Sequence, residues 1–256
     1  MKIHIDYIDQ TESTNSYLAK QSAPPSSLMK VIVARSQSAG RGQGTNSWES
    51  EDGKNLTFSI DITRPQVPLH LNFYLSMISA LAIHDALSRY SKDLTLKWPN
   101  DVYYKDKKIS GTLIETSVNS QIITRCIFGI GINVNQKEFV SDAPNPISLI
   151  NIINCETKVS EILSKTLKAF QKYYDQLRLG YYKSVKLQYM NVLYRSKGVF
   201  PYRDKDGLFE AEIVEIKDNG HLCLKDTEGR IREYEQKEVQ FVLPQYNKAT
   251  QTKRQY

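Results

Sequence analysis

Residues 94–116 read Leu94-Thr95-Leu96-Lys97-Trp98-Pro99-Asn100-Asp101-Val102-Tyr103-Tyr104-Lys105-Asp106-Lys107-Lys108-Ile109-Ser110-Gly111-Thr112-Leu113-Ile114-Glu115-Thr116. Leu94 to Trp98 alternates and reads as a strand. Pro99 and Asn100 then impose a turn. Val102 to Tyr104 and Ile109 to Thr116 form a hairpin around Lys105-Asp106-Lys107. Asn119-Ser120 is the next turn and Ile122 to Ile132 the next strand. Hairpins in succession place neighbours antiparallel, so the sheet is antiparallel or mixed.

The flanking pattern extends this to an α+β chain. Lys2 to Tyr7, Val31 to Ala34 and Leu56 to Ile62 read as further strands. Ser13-Thr14-Asn15 offers capping side chains for a helix through Tyr17-Leu18-Ala19. Helical spacing covers Leu69 to Tyr90, Ser160 to Leu179 and Tyr182 to Tyr194; Ser160 opens the second and Gly180 stops it. After Gly198 five short strands are separated by Asp206-Gly207, Asp218-Asn219-Gly220 and Glu228-Gly229, which suggests a small barrel. The expected units are residues 1–195, residues 196–245 and a polar tail, 246–256, holding Lys248, Lys253 and Arg254.

The 256 residues, 40% hydrophobic and 24% charged, suit a soluble globular protein. A net charge of +6 suits acidic or phosphate ligands but is too diffuse to argue nucleic acid. Cys126, Cys155 and Cys223 are odd in number and lack metal-ligand spacing, so they read as reduced thiols, with no zinc site or side-chain metal site. No signal-peptide run and no membrane-length apolar stretch is present, and the expected compartment is the cytoplasm.

Two segments carry cations into apolar surroundings. Ser38-Ala39-Gly40-Arg41-Gly42-Gln43-Gly44 lacks the helix that a dinucleotide fingerprint needs and the Gly-Lys-Ser/Thr of a Walker loop. What remains is a loop whose backbone N–H groups can hold an anion, with Arg41 able to pair in bidentate fashion. A plain surface loop has the same composition. Lys97, on the opposite face from Leu94 and Leu96, supplies a compact cation suited to phosphoryl charge. A solvated strand lysine is the alternative, and Trp98 reads as core.

Taken jointly, the segments resemble the biotin protein ligases. Matching pieces occur in order: Ser13-Thr14-Asn15, Gln37 to Gly42, Trp48, Lys97-Trp98-Pro99-Asn100-Asp101, Lys108-Ile109-Ser110-Gly111, and Gly129-Ile130-Gly131-Ile132-Asn133-Val134-Asn135. The resemblance implies a class II synthetase-like catalytic fold: a mixed, mostly antiparallel sheet with flanking helices, followed by an SH3-like barrel. It implies a two-step reaction. ATP and Mg2+ activate biotin as biotinyl-5′-AMP, and a lysine of a biotin carboxyl carrier domain then takes the biotinyl group and releases AMP. By motif, Ser13, Thr14, Asn15, Gln37, Gly40, Arg41, Gly42, Gln43, Lys97 and Gly111 look like biotin contacts. Arg41, Trp48, Lys97, Asn100 and Asn133 look like nucleotide contacts. Lys97 and Arg41 are the catalytic candidates, Lys97 for forming the adenylate and Arg41 for retaining it.

The chain departs from the family where arginines are common: Gln43 stands after Gly-Arg-Gly, and Asn46-Ser47 precede Trp48. Few residues precede Ser13, so no N-terminal DNA-binding domain is expected. Some relatives dimerise through the sheet edge, which leaves a homodimer open. Lipoate or octanoate ligases and transferases share the fold and are the competing enzymes. Nucleic-acid binding by the barrel and an inactive ligase-like scaffold are weaker readings.

Overall fold

The computed structural model describes residues 1–141, 143 and 145–244. The tail with Lys248, Lys253 and Arg254 lies outside the described residues. The first part contains strands β1 (Lys2–Thr11), β2 (Leu28–Gln37), β3 (Leu56–Thr63), β4 (Leu94–Lys97), β5 (Asp101–Tyr104), β6 (Lys107–Asn119) and β7 (Ile122–Ile132). They form one sheet in the order β1-β2-β3-β7-β6-β5-β4. β1 runs parallel to β2 and every other pair is antiparallel. The mixed sheet expected from successive hairpins is present.

Side-chain alternation gives this sheet two unlike faces. Phe58, Ile60 and Ile62 of β3 join Cys126, Phe128 and Ile130 of β7 in the main core. Helices α2 (Phe73–Leu87) and α4 (Val159–Arg178) contribute to that core, with Phe128 and Phe170 edge to face at 5.0 Å. The opposite face carries Thr57, Ser59 and Asp61, which register against Gly131, Gly129 and Ile127. Short helix α1 (Thr14–Ala19) packs here through Leu18 onto Ile32 and Ile127. β3 is therefore buried on both sides, but one side is polar.

Three expectations for helix starts change. Leu69–Leu71 is a 3-10 turn separate from α2. α4 starts at Val159, so Ser160 lies inside it and Lys158 holds the cap position. Ser13 sits at the cap of α1 but makes no side-chain cap bond. Helix α3 (Leu149–Ile153) follows β7 and was not anticipated; α5 (Tyr182–Asn191) follows α4.

Strands β8 (Phe200–Asp204), β9 (Gly207–Ile216), β10 (Leu222–Asp226), β11 (Ile231–Tyr234) and β12 (Gln240–Phe241) form an antiparallel sheet in the order β11-β10-β9-β8-β12. The two sheets share one apolar cluster, which includes Leu96 and Trp98 together with Tyr202 and Phe241. The Trp98 indole donates to the Gly220 carbonyl at 2.9 Å. No helix among the described residues is long and apolar enough to cross a membrane.

Candidate functional site

The polar face of the large sheet ends in a cavity of about 310 Å3. Its floor follows from register: Gly111, Leu113 and Glu115 of β6 stand opposite Gly131, Gly129 and Ile127 of β7. The two glycines are a spatial requirement. A β-carbon at Gly129 would collide with the Asn15 side chain, and one at Gly131 with the Trp48 indole. Removing both side chains lets α1 and the Trp48 ring lie directly on the strand.

A buried polar network crosses this floor. The Gln37 side-chain oxygen Oε1 accepts from the Thr14 backbone amide at 2.8 Å and from its hydroxyl at 3.1 Å. The Ser59 hydroxyl lies 2.7 Å from Thr14 Oγ1 and 2.6 Å from Asn15 Oδ1. Asn15 donates onward to the Leu113 carbonyl and to Glu115 at 2.7 Å. Glu115 in turn pairs with the Arg41 guanidinium, which also donates to Ser16. Thr14, which by sequence could have been a mere cap, and its neighbour Asn15 are therefore engaged across the sheet.

The glycine-rich loop forms the cover. Trp48 donates to Gly40 and Gly42 donates to Asn46, which folds residues 40–48 into a tight hairpin. Arg41, Gly42, Gln43 and Trp48 line the cavity together with Ser13, Thr14, Asn15, Gln37, Asn100 and Gly111. Gly40, at the base of the loop, is buried and is not among the lining residues.

A second cavity of about 530 Å3 adjoins the first; it shares Asn46, Ser47, Trp48 and Lys108 with it and holds Asn133. Among the described residues, six buried side-chain polar atoms lack a partner. Three of them, Trp48 Nε1, Thr112 Oγ1 and Asn133 Oδ1, belong to residues lining these two chambers. Buried polar groups are nearly always satisfied, so these atoms mark places where a ligand can bond.

The cation shared by both chambers is Lys108, not Lys97. Lys108 pairs with Asp101 at 2.8 Å and its chain lies against Gly111. Lys97 is absent from both linings. Its ammonium lies 4.6 Å from the Phe241 ring centroid and 5.5 Å from that of Tyr103, in the seam between the sheets. The alternation that separates Lys97 from Leu94 and Leu96 turns it towards the C-terminal sheet. Burial lowers its pKa; Asp101 opposes this, while Lys108 and Arg195 add to it. Lys97 thus lies outside both linings, away from where the resemblance led it to be expected.

Lys108 was missed because a β-bulge decides its direction. Val102 faces Ser110, but Tyr103 faces Lys108, so the register slips by one residue there. Bulges re-aim side chains in this way, and a run of two lysines does not show which one turns inward. Gln236, from the connection between β11 and β12, also lines the first cavity and was not anticipated.

Over the second chamber, Glu49 accepts from Gln136, Val140 and Ser141 at 2.8 to 3.0 Å. Burial pushes its carboxyl up, but the bonds from Ser141, Val140 and Gln136 outweigh this and hold the pKa below the ordinary value.

The model of the biotin/lipoate A/B protein ligase family matches residues 7–133. The bifunctional ligase/repressor BirA of Bacillus spizizenii is 30% identical over 233 residues, covering 89% of this chain and 70% of that protein. The biotin–[acetyl-CoA-carboxylase] ligase of Paracoccus denitrificans is 28% identical over 232 residues, covering 86% and 94%. The fold matches that of the biotin protein ligase from Aquifex aeolicus in complex with biotin and ATP, with a TM-score of 0.76 at 24% identity over 94% of this chain and 99% of that one.

Proposed function

Since this chain belongs to the biotin/lipoate A/B protein ligase family, we propose that it is an ATP-dependent biotin protein ligase. It activates biotin as biotinyl-5′-adenylate and transfers the biotinyl group to a lysine of a biotin carboxyl carrier domain. The observation that carries this reading is the pair of adjoining chambers with one cation at their junction and unpartnered polar atoms in each.

The first chamber suits the ureido head of biotin. Ser13, Thr14, Thr112 and Gln37 offer hydroxyl and amide groups that a ureido ring can match. A dithiolane or an alkyl chain would leave the Thr112 hydroxyl unpaired, and such sites reject ligands lacking the matching group. The second chamber suits the nucleoside. The free Asn133 Oδ1 can accept from an exocyclic amine, and Trp48 offers a ring edge and an N–H.

Lys108 stands where the biotin carboxylate and the α-phosphate must meet. A carboxylate oxygen attacks the α-phosphorus, and the bond to pyrophosphate breaks. Lys108 opposes the charge repulsion between the reactants and stabilises the charge that develops on the phosphoryl oxygens. Magnesium enters as part of the substrate MgATP, held mainly by phosphate and water oxygens, and Asp101 offers a carboxylate in the lining of the first chamber. In the second step the acceptor amine attacks the biotinyl carbonyl, loses a proton and displaces AMP. The loop over the cavity limits water access to the anhydride.

The test is to mix the protein with MgATP, a carrier domain and biotin, lipoate or octanoate in parallel. Covalent biotin on the carrier lysine is expected. Transfer of lipoate or octanoate without biotin would overturn the reading.

A further inference from the structure

The loop that covers the cavity is fastened at two places. On the inner side Arg41 is tied to Glu115 and Ser16, within the large sheet and α1. On the outer side the tie comes from the other sheet: Gln43 Nε2 donates to Gln236 Oε1 at 2.9 Å. These residues are 193 apart in sequence. Gln236 also lines the cavity itself, so the β11–β12 connection contributes to its wall beside the loop. Its neighbour Lys237 reaches the same corner. Its ammonium lies 3.0 Å from where a β-carbon on Gly44 would stand, so the connection packs directly on the loop's glycine.

We propose that Gln236 is a positioning residue that catches the glycine-rich loop in its closed form through Gln43, so that the C-terminal sheet sets how long the activated adenylate is retained. This rests on reading the cavity as the adenylation site. The geometry separates holding from chemistry: Gln236 contacts the loop's tip, while Lys108, paired with Asp101, sits at the junction of the chambers. Both glutamines are exposed, so removing one amide leaves no buried group unpaired and does not threaten folding. A neutral hydrogen bond of this kind changes an open–closed equilibrium by roughly three- to tenfold.

A double-mutant cycle tests this. Gln43→Ala, Gln236→Ala and the double variant are compared for adenylate formation, free adenylate released and labelling of bystander lysines on an unrelated protein. Each single variant is expected to raise the released fraction, counted per adenylate that the variant forms, about three- to tenfold. The double variant should leak no more than either single one, because both singles break the same bond. A leak in the double variant equal to the product of the two single-variant effects, or no leak from either single, overturns the catch. If the unmodified chain forms no adenylate, the functional reading fails first. Hydrogen exchange of residues 38–47 in the ligand-free protein then decides the catch separately. Equal rises in exchange in both singles and the double support it, and unchanged exchange overturns it.

Discussion

Lys97 and Lys108 are joined by two consecutive hairpins, yet their surroundings divide them by role. Lys108 is shared by two polar chambers and paired with a carboxylate; Lys97 is enclosed by two aromatic rings. A charged contact made mainly in the transition state is worth about 10²–10³ in rate. Lys108→Ala is therefore expected to slow biotin-dependent exchange of pyrophosphate into ATP by about that factor. A cation over aromatic faces is worth about 0.5–2 kcal/mol in stability, so Lys97→Met should alter the same exchange by less than about tenfold. Equal losses in both variants would return the anion-binding role to Lys97.

Elements explain what the residues cannot do alone. Asp61 of β3 is fully buried and binds Arg125 of β7, with Arg125 Nη2 to Asp61 Oδ2 at 2.6 Å. Arg125 also donates to the Leu18 and Gln21 carbonyls, so it clamps the end of α1 to the sheet. Removing one partner of a buried pair leaves an uncompensated charge and costs about 3–5 kcal/mol. Asp61→Ala should lose that much in urea unfolding and weaken biotin binding too, because α1 carries Thr14 and Asn15; a loss under about 1 kcal/mol would show that the clamp is dispensable. In the C-terminal sheet, burial pushes the Asp226 carboxyl up, but bonds from the Arg230 backbone and from the Arg230 and Arg232 guanidiniums hold it at about 2. Its folded pKa lies below the ordinary 3.8, so it contributes stability above about pH 4 and loses it as pH falls through about 2. Acid unfolding of Asp226→Asn should show a shallower decline across that window.

Strands, turns and the mixed sheet were readable in the sequence because period-two alternation and turn residues are local signals. So were Thr14, Gln37, Arg41 and Trp48, which sit in motifs that share the cavity. The direction of Lys108 was not, because it depends on a bulge created by pairing two strands. Neither was Gln236, whose place depends on how one sheet docks on the other. The start of α4 escaped for another reason: no side chain caps it, so no residue type announces it.

At the scale of the whole molecule, the two sheets behave as one packed body. The Gly220 carbonyl accepts from the Trp98 indole while the Phe73 ring occupies the space a β-carbon would need, and φ at Gly220 is +91°. Gly220→Ala must displace Phe73 and adopt a strained backbone, which costs roughly 1–3 kcal/mol. Urea unfolding should show that loss, and circular dichroism and tryptophan fluorescence should still report coincident transitions, since both sheets draw on one core. Separated transitions would mean that the C-terminal sheet melts alone.

The strand order has a consequence for synthesis. β3 finds its second neighbour only in β7, with Leu56 opposite Ile132. While the ribosome makes the residues between them, β1 to β3 carry an unpaired edge of the kind that invites association with other chains. The bond from Asn15 to Glu115 spans 100 residues and waits for the same event. A nascent chain therefore holds no half-built cavity able to generate a reactive anhydride: the pocket's floor comes into being in the step that seals the sheet, and Gln236 joins its wall later still.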